Sequence, residues 1–316
     1  MRHFTCAVLL AFAVVCVNAQ AVNTAPVLFK DSQFSVAHEF DIAYGKGTVE
    51  NGEMDLLLDL YKPQGANVPR LKPAFIGVHG GGFVMGDKRG PPTNMAELAK
   101  DMATRGYVAV SINYRLVKDK PVESGAELER ARAMVDKVFA RRAQGGEKVD
   151  PRIAGITAAQ MAAVRAGAIA DTAKALTWIV ANATRYGIDP KRITIGGMSA
   201  GAGTILNFVY VSDNEANRHA RTVIDMWGSL DQLGLSKMEK TDPPFVIIHG
   251  TKDPVVPFQG ALALDRRAKE LGIAHVFYPV EGAGHGAPLS TKTDGASLYQ
   301  HIADFNYQHL DLANLR

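Results

Sequence analysis

The sequence predicts an α/β protein: one mostly parallel sheet of eight strands, flanked by helices. Three observations lead there. Short apolar runs alternate with longer amphipathic runs along the chain, the order that a parallel sheet with crossover helices requires. The later apolar runs are continuous rather than alternating, as in strands covered on both faces. At residues 192–204 a strand-like run passes through Gly197-Met198-Ser199-Ala200-Gly201 straight into a helical run, so strand, tight turn and helix follow in direct succession. With 316 residues, 47% hydrophobic and 21% charged, the chain can bury one large core, and a single domain over residues 20–316 is expected.

The elements can be justified in order. Residues 1–19 read as a cleavable leader: Arg2 and His3 precede an apolar stretch from Phe4 to Val17, and Val17-Asn18-Ala19 before Gln20 supplies a cleavage site after Ala19. That stretch is shorter than the roughly 20 residues of a spanning helix. A secreted or periplasmic protein with no membrane span after processing is expected. Both cysteines, Cys6 and Cys16, lie in the leader, so the mature chain has no disulfide and no thiol nucleophile. A core of this size supplies the stability that small secreted domains take from disulfides.

Strands are expected near 37–44, 54–61, 73–79, 106–113, 192–198, 222–227, 244–249 and 275–281. No helix separates the first two, which should pair antiparallel at one edge. Helices near 94–105 and 171–186 are the covering elements. The segment at about 117–170 far exceeds the usual connection of about 2–6 residues. Within it, Leu128, Ala131, Val135, Val138 and Phe139 recur at helical spacing, and Thr157-Ala158-Ala159-Gln160 resembles a capping box that opens a second helix. An inserted helical cap over the carboxyl ends of the strands is expected, with a side decoration over sheet surface as the alternative.

Chemistry concentrates on the loops after strands. The pentapeptide around Ser199 places a hydroxyl on a turn whose small neighbours let strand and helix approach, with helix N–H groups beside it. His79-Gly80-Gly81-Gly82-Phe83 follows the run 74–78, and glycines there leave backbone N–H groups open to an oxyanion. Asp253 follows the run 245–248 and His285 follows 275–280, 54 and 32 residues after the preceding member of the set. Each interval holds a strand and a helix. A serine hydroxyl becomes nucleophilic when imidazole takes its proton, and a carboxylate on the far ring nitrogen fixes the tautomer. No metal or organic cofactor enters such chemistry.

These segments, with Leu58-Asp59-Leu60-Tyr61-Lys62-Pro63, Gly86-Asp87-Lys88 and Asn113-Tyr114-Arg115-Leu116, resemble carboxylesterases of the α/β-hydrolase superfamily, close to the hormone-sensitive-lipase-like and feruloyl/acetyl-esterase branches. The resemblance runs from about Asp41 to the C-terminus. It implies Ser199 as nucleophile, His285 as general base and acid, Asp253 as the orienting acid, and the amides of Gly81, Gly82 and Ala200 as oxyanion hole. It also implies a carboxylic ester substrate with a short-chain or aromatic acyl group, such as acetyl or feruloyl on plant polysaccharide, or an aromatic polyester. Phe83 and Trp227 are candidate pocket residues. A peptidase or amidase, or a catalytically silent binding protein on the same scaffold, are the alternatives.

Other residues have blander readings. His249 and His79 sit at strand ends, where packing or support of a neighbour is the usual role. Asp225, Asp231 and Asp242 rival Asp253 as acid, but only Asp253 follows the late strand that feeds this position. Gly282-Ala283-Gly284-His285-Gly286-Ala287 fits a relaxed dinucleotide fingerprint by letter, yet follows the last strand instead of opening a βαβ unit. A formal charge of +3 with no long basic block points away from nucleic acid as a partner.

Overall fold

The computed structural model describes residues 26–90, 94–143 and 155–315; the expected leader and its cleavage site lie outside them. Ser35–Val49 (β1) and Gly52–Gln64 (β2) form an antiparallel hairpin at one edge. Lys72–Val78 (β3), Met95–Thr104 (α1) and Val108–Ile112 (β4) follow. The expected insertion then supplies Ala126–Ala143 (α2) and runs into Ala158–Ala181 (α3), with the short Ala183–Tyr186 (α4) behind it. The remaining units alternate: Ile188–Met198 (β5), Ala200–Tyr210 (α5), Thr222–Met226 (β6), Gln232–Lys237 (α6), Phe245–Gly250 (β7), Phe258–Leu271 (α7) and His275–Val280 (β8). Lys292–Thr293 (β9) and Ala296–Ser297 (β10) pair in a minimal hairpin before Leu298–His309 (α8).

The eight-stranded sheet has the order β1-β2-β4-β3-β5-β6-β7-β8. β2 joins β4 antiparallel and every pair from β4 onward is parallel. Period-two alternation splits the core between the two faces. Ala74, Ile76 and Val78 of β3 belong to the core that includes α3, α5 and α7, while Phe75 belongs to the core on the other face with Met95, Leu98 and Met102 of α1 and Ile302 of α8. From β3 the chain crosses to β4 on one side, and it then returns to β5 on the other. The loops after β3 and β5 therefore leave toward opposite faces, into α1 and α5, and open a crevice between neighbouring strand ends.

The insertion differs from expectation in one respect. The reciprocal box is present: Thr157 Oγ1 accepts from Gln160 N at 3.2 Å, and Thr157 N donates to Gln160 Oε1 at 2.9 Å. The helix it opens does not end inside the insertion, however. It continues as one 24-residue α3 through most of the stretch read as a separate covering helix. The sequence 158–181 is alanine-rich and lacks proline, so nothing stops it. Arg115, fully buried, fastens this helix: its Nε and Nη2 donate to Asp171 at 2.9 and 2.7 Å, Nη1 donates to the Thr48 carbonyl at 2.7 Å, and Nη2 donates to Glu123 at 2.6 Å.

Candidate active site

Ser199 ends β5 and heads α5 with φ 54° and ψ −117°. Its N–H donates to the Met226 carbonyl at 2.8 Å and its carbonyl accepts from Gly203 N at 2.9 Å, which hold the turn. The turn demands small neighbours. A Cβ on Gly201 would lie 2.2 Å from the Val78 carbonyl oxygen, so α5 starts in direct backbone contact with the end of β3. The helix N-terminus, with its partial positive charge, thus sits against the glycine loop.

That loop turns on Gly81, where φ is 121° and a Cβ would lie 2.0 Å from the Met85 carbonyl oxygen, so that glycine alone fits. Gly82 and Phe83 are also left-handed, at 64° and 67°. Among the described residues, the N–H groups of Gly81, Gly82 and Ala200 donate to no backbone or side-chain acceptor. His79 supports the loop from below. Its Nδ1–H donates to the Gly80 carbonyl at 2.8 Å, its ring stacks on Tyr114 at 4.4 Å, and burial holds its pKa down to about 4. The Phe83 carbonyl accepts from Val117 N at 2.9 Å, which joins the loop to the first residues of the insertion.

Asp253 and His285 arrive from neighbouring strands. Thr251 N donates to the Val280 carbonyl at 3.1 Å and Lys252 N to the Ala283 carbonyl at 2.9 Å, so the loops after β7 and β8 are laced together. Asp253 Oδ1 accepts from Val255 N at 2.8 Å and Val256 N at 2.9 Å. Its Oδ2 accepts from His285 Nδ1–H at 2.7 Å. The other ring nitrogen then carries a lone pair, and Ser199 Oγ lies 2.7 Å from it, in position to donate its proton. The Asp253 side chain is wholly buried, whereas His285 is 22% exposed, so the proton path faces the crevice and the acid does not.

A solvent-open pocket adjoins this chain of groups. Its wall takes Phe83 from the glycine loop, Ala131 and Met134 from α2, Arg165 and Ile169 from α3, Gly203 and Thr204 from α5, and Leu233 from α6. Ser199 itself is not on the wall; Phe83 and Gly203 connect the two. Arg165 stands over the Phe83 ring at 4.8 Å. Trp227, expected beside the pocket, is elsewhere: its left-handed φ of 62° follows β6, and its indole is 4% exposed within the cluster under α1 and α8. The rival acids each bind local backbone, Asp225 at Gly228 N, Asp231 at Gly234 N and Asp242 at Glu239 N. His249, read from the sequence as a packing or supporting residue, brings its Nε2 within 3.3 Å of Asp253 Oδ2. Its spacing four residues before the acid was the available signal.

A family model described as BD-FAE matches residues 58–140 and 157–239, together just over half of the chain, including the glycine loop and Ser199. The chain belongs to the BD-FAE family. Residues 216–313 of this BD-FAE member, which carry Asp253 and His285, also match the prolyl oligopeptidase family. Its curated relatives include esterase LipQ of Mycobacterium tuberculosis, 24% identical over 85% of this chain and 62% of LipQ, and esterase LipC of the same organism, 26% identical over 71% and 54%. The chain thus spans less than two thirds of the length of these relatives. Among solved structures, a truncated carbohydrate esterase from gut microbiota superposes with a TM-score of 0.59 at 20% identity, covering 89% of this chain and 98% of that one. MGS-M1, an α/β hydrolase from a Medee basin deep-sea metagenome library, gives 0.56 at 17% identity, covering 89% and 100%. At such identities the likeness is one of fold, and the BD-FAE chain has the α/β-hydrolase fold.

Proposed function

We propose that this protein is a serine carboxylic ester hydrolase. The observation that carries the reading is the hydrogen-bond chain from Ser199 Oγ through His285 to Asp253, 2.7 Å at each link. His285 Nε2 removes the hydroxyl proton as Oγ attacks the ester carbonyl, and Asp253 stabilises the imidazolium that results. The carbonyl oxygen becomes an oxyanion facing the N–H groups of Gly81, Gly82 and Ala200, each such donor being worth about 3–4 kcal/mol of barrier. As the carbonyl re-forms, the alkoxide leaves with the proton from His285 and Ser199 keeps the acyl group. Water, deprotonated by His285, then attacks the acyl carbon; the acid departs and Ser199 recovers its proton.

The named esterase relatives favour ester over amide cleavage, and the motifs that resemble feruloyl and acetyl esterases support a short-chain or aromatic acyl group, with acyl groups on plant polysaccharide as the physiological class. The prolyl oligopeptidase match over the acid and histidine loops favours a second reading, cleavage of amides by the same groups. Hydrolysis of p-nitrophenyl acetate by the wild type beside Ser199→Ala tests the mechanism. The variant is expected to stay folded and to lose about 10⁴-fold or more in kcat; retained activity would remove Ser199 from the reaction. Acetyl, butyryl and feruloyl esters run beside a peptide p-nitroanilide separate the two readings, since turnover of the anilide alone would favour the amidase.

A further inference from the structure

His249, next to last in β7, is fully buried, and its ring lies between the candidate acid and the turn that follows it. Its Nε2 stands 2.9 Å from the Val256 carbonyl oxygen and 3.3 Å from Asp253 Oδ2. A carbonyl oxygen only accepts, so Nε2 carries the proton and donates to it. Nδ1 has no hydrogen-bond partner among the described residues, and a proton placed there would be buried without an acceptor. The ring is therefore neutral. The titratable groups facing it are Asp253 from its own loop and His285 from the loop after β8, and the Phe258 ring of α7 lies edge-on at 6.0 Å. Burial lowers the His249 pKa, in keeping with that neutral state.

Val256 is the point where these contacts meet. Its N–H donates to Asp253 Oδ1 at 2.9 Å while its carbonyl is held by His249. We propose that His249 is a positioning residue for the ester hydrolysis described above, on which this inference rests: by fastening the 253–256 turn to β7 through its Nε2–H, it makes Asp253 present Oδ2 to His285. The same N–H lies close beside Oδ2, and its positive end tempers the negative charge that His285 senses. His249 touches no substrate atom and transfers no proton. Its effect reaches the reaction through Asp253.

The test compares His249→Leu, which removes the donor, with His249→Gln, whose amide nitrogen can return it. Both are run beside the wild type on p-nitrophenyl acetate, with thermal melting to establish folding. His249→Leu is expected to lower kcat about 10–100-fold with KM within about twofold, because the loss is one of alignment. The acid limb of kcat/KM should move up by about half a pH unit, since a carboxylate relieved of a neighbouring N–H dipole holds the His285 proton more tightly. His249→Gln should recover most of kcat and return the limb. A folded His249→Leu with wild-type kcat and profile would overturn the proposal, as would equal losses in both variants with an unmoved limb.

Histidine side-chain nitrogen NMR of the wild type supplies a readout that needs neither a folded variant nor turnover. His249 is expected to be neutral and in its Nε2–H form at neutral pH and above. A Nδ1–H tautomer would defeat the positioning role outright. If the tautomer is as expected but no ester is hydrolysed by the wild type, the functional reading fails while the clamp on the turn stands, so the two failures are distinguishable.

Discussion

Ser199 is held in a conformation that costs a non-glycine residue about 1–3 kcal/mol, and the hydrogen bonds to Met226 and Gly203 keep it there. The strain belongs to the placement of Oγ at the tip of the turn, which an unstrained strand end would not achieve. Asp225, on β6 beside the nucleophile's strand, shows what an unsolvated acid does instead. Burial pushes its carboxyl up to about 7; Oδ1 accepts from Gly228 N, and Oδ2 has no partner among the described residues. The folded chain thus keeps a proton that the unfolded chain releases near pH 4, so stability falls as pH rises from about 4 to 7 and levels off above. That contribution is on the order of a few kcal/mol. Asp225→Asn, neutral throughout, should melt above the wild type at pH 8 and close to it at pH 5; the same difference at both values would disprove the linkage. Ser199, Asp253 and His285 were legible in the sequence because each is flagged by glycine or proline beside an apolar run. The supporting role of His249 was legible in kind, but its contact with the acid depends on how the 253–256 turn curls, and the direction of Trp227 depends on one left-handed φ.

At the scale of elements, the close contact of α5 with the end of β3 decides whether nucleophile and glycine loop stay in register. Gly201→Ala would put a methyl 2.2 Å from the Val78 oxygen and 2.5 Å from that of His79, so helix and strand must separate. A loss of about 1–3 kcal/mol is expected, with a drop in ester turnover. Gly203, two residues on, has open space at its Cβ position, and Gly203→Ala should be neutral or gain up to about 1 kcal/mol of helix propensity. Urea denaturation of the pair checks this, and equal midpoints would argue against the tight junction. Parallel strands were the most legible elements, their apolar runs being unbroken. β5 still begins at Ile188, earlier than expected, because a register shift against β3 absorbs the stretch containing Pro190, which cannot donate to a ladder. The length of α3 was hidden for the opposite reason: a genuine N-cap at Thr157 marks where a helix starts and carries no information about where it stops.

For the whole molecule, the crevice between β3 and β5 follows from the order of the strands, and sequence patterning alone reveals strands without revealing their neighbours. Processing also belongs to the molecule as a whole: we propose that the chain is exported and cleaved after Ala19, which N-terminal sequencing of protein recovered outside the cytoplasm checks, and a chain still beginning at Met1 in that fraction would contradict it. Arg115 bears on how the protein can be re-engineered. Because its guanidinium is neutralised by Glu123 and Asp171, on either side of α2, a shortened variant that deletes residues 123–171 inclusive to widen access would strand a cation in the interior at a cost of about 3–5 kcal/mol. Tailoring toward bulkier esters therefore has to proceed by resizing side chains such as Met134, Ile169 and Leu233 in place, with the backbone around them left uncut.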